Sequence, residues 1–170
     1  MASTYEPIAT TTLGSTAASI TLSSIPNTYT DLKIVVIGSG TSAGSNPNFR
    51  LNGDSGTNYS QTNLAQTNNV AYSTTFANLN VLYLLDQGTN PPSTSTMQFY
   101  TVDIFSYASS IYKTCLITES MDANGNTQSL VGINVGMYRS TSAINSITIQ
   151  SGGGTWAAGT SVTIYGILKA

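Results

Sequence analysis

The chain has 170 residues and a formal net charge of −2, with no His, one Cys and five Lys or Arg against seven Asp or Glu. A disulfide framework, an intrachain Cys/His zinc site and any nucleophile that hands its proton to an imidazole are excluded for want of residues. Thin, near-neutral charge leaves no basic footprint for nucleic acid, and the longest aliphatic or aromatic run, Val81 to Leu85, falls far short of the ~20 residues that cross a bilayer.

Apolar residues make up 40% of the chain, while Ser, Thr and Asn number 23, 26 and 15. Disorder combines low hydrophobicity with high net charge, so this composition predicts a folded all-β chain, with Thr and Tyr in strands and Ser, Asn and Gly in turns. The opening, Met1 to Glu6, lacks the basic then apolar order of a secretory leader, and synthesis in a cytoplasm is expected.

No window carries the 3.6-residue apolar period of a helix, whereas strand signals recur. Ala18-Ser19-Ile20-Thr21-Leu22 alternates, and Leu32 to Ile37 is a β-branched run read as a strand buried on both faces. Phe49-Arg50-Leu51 enters Asn52-Gly53-Asp54, where Asn-Gly accepts the positive φ of a tight reversal. Asn80 to Leu85 fits a strand or a helical turn, followed by a break at Gln87 to Pro92. Met97 to Phe105 and Tyr112 to Glu119 read as neighbouring strands, followed by a turn at Asp122 to Asn126. In the next strand, Leu130 to Tyr138, the spaced glycines suggest bulges or close backbone approach. Ile144 to Ile149 and Ser161 to Leu168 close the chain around a Gly-rich link. About eight strands at roughly 10–20-residue spacing predict one antiparallel β-sandwich of jelly-roll type over residues 18–170. Residues 1–17 read as an N-terminal arm or a first edge strand, and the topology of residues 65–95 is left open.

Candidate chemistry is sparse. Asp103 and Glu119, on neighbouring strands, could converge as an acid–base pair, against the plainer reading of isolated acids. Asp31 and Asp54 sit where side chains bond to turn backbone. Asp122 to Asn126 starts like a calcium loop, but Ile133 stands where a bidentate Glu is required. Gly152-Gly153-Gly154 has no Lys in the position a phosphate cradle needs. Asn58-Tyr59-Ser60 matches a glycosylation acceptor without a secretory context, and Cys115 reads as a small buried hydrophobe. Trp156, in the Gly-rich link, is either a lid on the end of the sandwich or an exposed anchor for a partner or a sugar ring. No catalytic, metal or cofactor-binding residue is assigned, and a non-enzymatic role is expected.

Three stretches carry a family resemblance. Ile20 to Ile34 (ITLSSIPNTYTDLKI) resembles the opening of a family of tailed-bacteriophage virion proteins. Leu51 to Ser60 (LNGDSGTNYS) is similar to that family's second marker, and Ile144 to Ile149 with Gly159 to Ile167 is similar to its third, in matching order and spacing. The resemblance implies a jelly-roll module on a phage particle. One form is a capsid decoration (cement) protein, usually trimeric, that binds the major capsid protein on the outer surface of the shell. The alternative is a head- or tail-fibre module recognising host-surface glycan, with Trp156 and exposed tyrosines stacking on sugars. Under the first reading Tyr5, Glu6, Pro7 and Ile8 are the candidate inter-subunit arm, and the protein resides on the virion without contact to nucleic acid or membrane.

Overall fold

The computed structural model describes residues 5–41, 46–67, 70–85, 96–122, 124 and 129–168. Among the described residues twelve strands run in chain order: β1 (Tyr5–Thr12), β2 (Ser19–Leu22), β3 (Asp31–Gly38), β4 (Asn48–Leu51), β5 (Tyr59–Thr67), β6 (Val70–Leu79), β7 (Leu82–Tyr83), β8 (Gln98–Phe105), β9 (Lys113–Met121), β10 (Leu130–Tyr138), β11 (Ile147–Gln150) and β12 (Ser161–Ile167). They form an antiparallel β-sandwich of an eight-stranded sheet, β1-β12-β3-β8-β9-β10-β5-β6, and a four-stranded sheet, β2-β11-β4-β7. The chain passes repeatedly between the sheets, so strands distant in sequence become neighbours, as in a jelly roll. No helix long and apolar enough to cross a membrane occurs among the described residues.

Period-2 patterning decides which side chains go inside. In β3 the inward row is Leu32, Ile34 and Val36, all fully buried, opposite Ile104, Val102 and Tyr100 of β8. Ile147 and Ile149 of β11 sit between Leu22 and Ile20 of β2 on one side and Leu51 and Phe49 of β4 on the other. These residues join Val162, Ile164, Ile117 and Trp156 in one core between the sheets. β3 departs from expectation: only one of its faces is buried, and Ile37 of its outward row is 41% exposed.

Two of the strands, β5 and β6, have no counterpart in the sequence pattern, while β1 falls in the stretch read as an arm or a first edge strand and β7 in the one read as a strand or a helical turn. β1 is an edge strand paired along its length with β12, interrupted by a bulge between Pro7 and Ala9. β5 and β6 form a hairpin whose inward row in β5 is Gln61, Asn63 and Ala65, so apolar alternation is absent. Asn80 to Leu85 resolves into the two-residue β7, with Leu82, Leu84 and Leu85 buried. The break expected over 87–92 lies outside the described residues.

Turn chemistry behaves as the sequence suggests. Asn52 and Gly53 both have positive φ, 55° and 67°, and Asp54 N–H donates to the Leu51 carbonyl at 3.0 Å, closing the reversal between β4 and β5. The Asn52 side chain then ties this turn to the β10–β11 link, donating to the Ala143 carbonyl and accepting from Asn145 N–H, each at 2.8 Å. β10 keeps a regular register with β5 and β9, without a bulge, so its glycines answer to close approach. A Cβ on Gly136 would meet Leu82 of β7 at 2.8 Å, and one on Gly132 would meet the Glu119 carboxylate.

Candidate interaction surface

The residues singled out for chemistry do not converge. Asp103 stands on the outward face of β8 opposite Leu116, and its carboxylate accepts from Lys33 Nζ at 2.9 and 3.0 Å. Glu119 is buried on the inward face of β9 opposite Tyr100. The two acids therefore lie on opposite faces of one sheet, and the acid–base pair is not formed. Asp31 accepts from Ser106 N–H at 2.7 Å, and Asp54 from Gly56 N–H at 2.7 Å and the Asn58 amide at 2.8 Å. These bonds hold the Asp54 carboxyl below its usual range, the Asn58 bond contributing most. Both acids do turn work.

Asp122 accepts from Asn124 N–H at 2.9 Å and from the Ser129 hydroxyl at 3.3 Å, while 123 and 125–128, the rest of the calcium-like stretch, lie outside the described residues. Among the described residues no group of three or more His, Cys, Asp or Glu could hold a metal ion. Cys115 is fully buried, and burial pushes its thiol up to about 12, the state of an inert packing residue. At Gly152 φ is 77°, and a Cβ there would lie 1.9 Å from the Asn46 carbonyl oxygen, so the Gly-rich link packs against backbone.

Trp156 is 0% exposed. Its backbone bonds Ala17 in both directions, at 2.8 and 3.1 Å, and an isolated bridge joins it to Gly40 as well. The indole is therefore a lid on the sandwich core and not an exposed anchor: the small sheet, the large sheet and the link meet over it. Tyr5, Glu6, Pro7 and Ile8 lie in edge strand β1, not in a free arm. Tyr5 is 52% exposed, whereas the Glu6 carboxylate accepts from Tyr29 Oη at 2.9 Å. That bond is the leading cause that raises the Tyr29 phenol above its ordinary value.

Two positions that pattern reading passes over do structural work inside. Gln61 of β5 reaches across to β7, donating to the Tyr83 carbonyl at 3.1 Å and accepting from Tyr83 N–H at 2.8 Å. Lys113 is fully buried, its ammonium donating to the carbonyls of Ser109, Ile111 and Ser140, and desolvation lowers its value.

What the surface offers is a face. Outward on β10 stand Val131, Ile133, Val135 and Met137, exposed by 55, 53, 49 and 36%. Leu64 of β5, opposite Ile133, is 62% exposed, and Phe99 of β8 and Ile37 of β3 pair beside each other nearby. Two shallow grooves flank this row, one of about 330 Å³ lined by Leu64, Ala71, Val131 and Ile133, the other of about 310 Å³ lined by Thr62, Thr75, Val135 and Met137. Hydroxyls fill the intervening positions, with Thr101 and Thr118 bonded at 2.7 Å and Thr62 and Thr75 at 3.4 Å. On β3 and β8 the facing charges Lys33 and Asp103 neutralise each other. The outward rows of β9, β10, β5 and β6 carry no charged side chain at all.

No family model matches the chain, and no curated protein matches it. Among solved structures it is similar to an exo-inulinase from Aspergillus awamori, with a TM-score of 0.44 at 10% identity over 96% of this chain and 29% of that one. It is also similar to a high-affinity mannose-binding lectin of Ralstonia solanacearum, with a TM-score of 0.15 at 11% identity over 71% of this chain and 95% of that one. The chain thus spans less than a third of the length of the inulinase it resembles.

Proposed function

We propose that the protein is a non-enzymatic structural module of a phage particle, a capsid decoration protein that docks as a homo-oligomer on the outer shell. The observation that carries this reading is where the three resembling stretches fall in the fold. Ile20 to Ile34 supplies β2 and β3, Leu51 to Ser60 the reversal into β5, and Ile144 to Ile167 supplies β11 and β12. β11 lies between β2 and β4 in the small sheet and β12 lies beside β3 in the large one, so the first and third stretches pair with each other in both sheets, while the second links β4 to β5, which β8, β9 and β10 separate from β3. Markers more than 100 residues apart that pair in this way support a shared scaffold.

The mechanism is burial of shell surface by a rigid, weakly charged body. Several copies joined in one oligomer turn weak contacts into an avid attachment without any single strong site. The fibre reading called on Trp156 and exposed tyrosines; the indole is inside the core, and Tyr5 and Tyr112, 52 and 55% exposed, are the tyrosines left to it.

The test is the copy number of the protein on purified virions that encode it, measured by quantitative mass spectrometry against the major capsid protein. Hundreds of copies in a simple ratio to the shell subunit are expected. A few dozen or fewer would move the protein to a vertex or tail, and absence from virions would overturn the proposal.

A further inference from the structure

The outward face of the large sheet is apolar where a solvent-facing strand is normally polar. In β10 the inward positions are Leu130, Gly132, Asn134, Gly136 and Tyr138, and the outward ones are Val131, Ile133, Val135 and Met137. Beside the row that meets the core, a second and uninterrupted hydrophobic row thus points away from it. β3 repeats the pattern on a smaller scale, with Val35 and Ile37 outward. A strand with apolar rows on both faces is patterned to be covered twice, and a single sandwich covers it once.

The size of the face matches a protein interface. Strands β8, β9, β10 and β5 are adjacent, and at ~4.8 Å per strand and ~3.4 Å per residue they cover about 19 by 30 Å, or roughly 600 Å² per copy. Two apposed copies would bury about 1,200 Å², the lower bound of stable specific interfaces. Its apolar rows, interleaved with hydroxyls, lie at the upper end of the ~300–600 Å² that the largest patch on a monomer covers.

The chemistry of the face selects its own copy. Three of its four strands, β9, β10 and β5, present no outward charge, and Asp103 of β8 is already paired with Lys33 of β3, so no opposite potential is needed to meet the face and no charge is left stranded when it closes on itself. Leu64, 62% exposed, stands on the rim of the groove of about 330 Å³, and the second groove, of about 310 Å³, runs along Val135 and Met137. Thr101 with Thr118 and Thr62 with Thr75 already bond each other, so these hydroxyls can be covered at little cost.

We infer that the β5–β10–β9–β8 face is the surface through which copies of this chain meet, each copy apposing this face to that of its neighbour about a symmetry axis. The inference rests on the homo-oligomeric reading above, but it fails separately, because it is tested on the purified chain without virions. Sedimentation equilibrium of the full chain from ~1 to ~200 µM should give an oligomer. Ile133→Asp, which places a carboxylate in the middle of the face, should weaken association about thirtyfold or more, as loss of a central hot spot does. Ile111→Asp provides the control: Ile111 is 60% exposed in the β8–β9 link and outside the face, so association should be unchanged. Circular dichroism reports whether each variant keeps its sandwich, and Leu64→Ser provides a milder change should Ile133→Asp fail to fold. A wild-type chain that stays monomeric at 200 µM would overturn the inference. So would a folded Ile133→Asp or Leu64→Ser variant that associates like wild type, or an interface found on another protein through this face.

Discussion

Truncating Trp156 separates packing from recognition. The indole is fully buried, and its N–H has no hydrogen-bond partner among the described residues. Trp156→Ala therefore removes no side-chain hydrogen bond, and its whole cost is lost apolar burial plus the cavity left behind. A buried Trp removes ~150–250 Å² from water, which at ~25 cal/mol per Å² gives about 4–6 kcal/mol, close to the ~3–5 kcal/mol seen for large aromatic truncations. That is a large part of the ~5–15 kcal/mol by which domains are stable. Trp156→Phe behaves differently. It loses part of the ring but also removes a donor whose unpaired burial costs ~1–3 kcal/mol, so the net change should stay within about 1–2 kcal/mol. Urea unfolding followed by far-UV circular dichroism measures both, and the wild-type protein should also show blue-shifted tryptophan emission shielded from iodide. The reasoning is refuted if Trp156→Ala costs less than about 1 kcal/mol, or if Trp156→Phe costs as much as Trp156→Ala.

Gln61→Leu should destabilise by about 2–3 kcal/mol, because two hydrogen bonds go and the Tyr83 backbone loses a partner for each of its polar groups; hydrogen exchange should show the Tyr83 amide losing protection, and unchanged protection would contradict the role. Gly152→Ala should cost more than about 2 kcal/mol, since φ is 77° and the new Cβ would lie 1.9 Å from a backbone oxygen, whereas Gly14→Ala, with nothing within 4 Å, should stay within about 0.5 kcal/mol by thermal unfolding. Stability should fall as pH rises above about 9. Burial raises the Tyr59, Tyr100 and Tyr138 phenols above their ordinary 10.0 and the Cys115 thiol from 9.0 to about 12. A raised acid leaves stability intact below its unfolded value and erodes it as pH climbs toward the folded one. Lys113, lowered from 10.5 by desolvation, works in the opposite sense, one group against these four and against the raised phenols of Tyr29 and Tyr107. Urea midpoints from pH 7 to 11 test the sum, and a midpoint that holds level to pH 11 would contradict it.

How legible the molecule was depends on where each strand sits. β8 and β12 bury their apolar rows in the large sheet where alternation reveals them, while β3 shows itself as a β-branched run whose outward face the run does not betray. β5 and β6 escape because Gln61 and Asn63 face inward, so neither row looks apolar. β1 is half legible, as an arm or a first edge strand, because Pro7 argues against a strand although an edge position tolerates it. In β10 the pattern is legible but points the other way: alternation alone sends Val131, Ile133 and Val135 to the core. Leu82 and Glu119 occupy the space over Gly136 and Gly132, so the bulky row must face outward. Asp103 and Glu119 were rightly placed on adjacent strands, yet period 2 puts positions opposite 116 and 100 on different faces. Trp156 could have gone either way, since a Gly-rich link gives no periodicity from which to read burial.

The interleaving of the sheets also governs how the chain acquires its structure. β11 is inserted between β2 and β4, and β12 between β1 and β3, so each of the four N-terminal strands takes a partner made more than 90 residues later. On the ribosome β1 and β2, whose partners among the described strands are β12 and β11, must wait for the last two strands, whereas β3 can meet β8 and β4 can meet β7 earlier. Contacts so distant in sequence place the fold among the slow, all-β folders, on the scale of milliseconds to seconds. The β-branched run from Leu32 to Ile37 therefore emerges without a partner until β8 is made, and gains its second neighbour only when the chain is nearly finished.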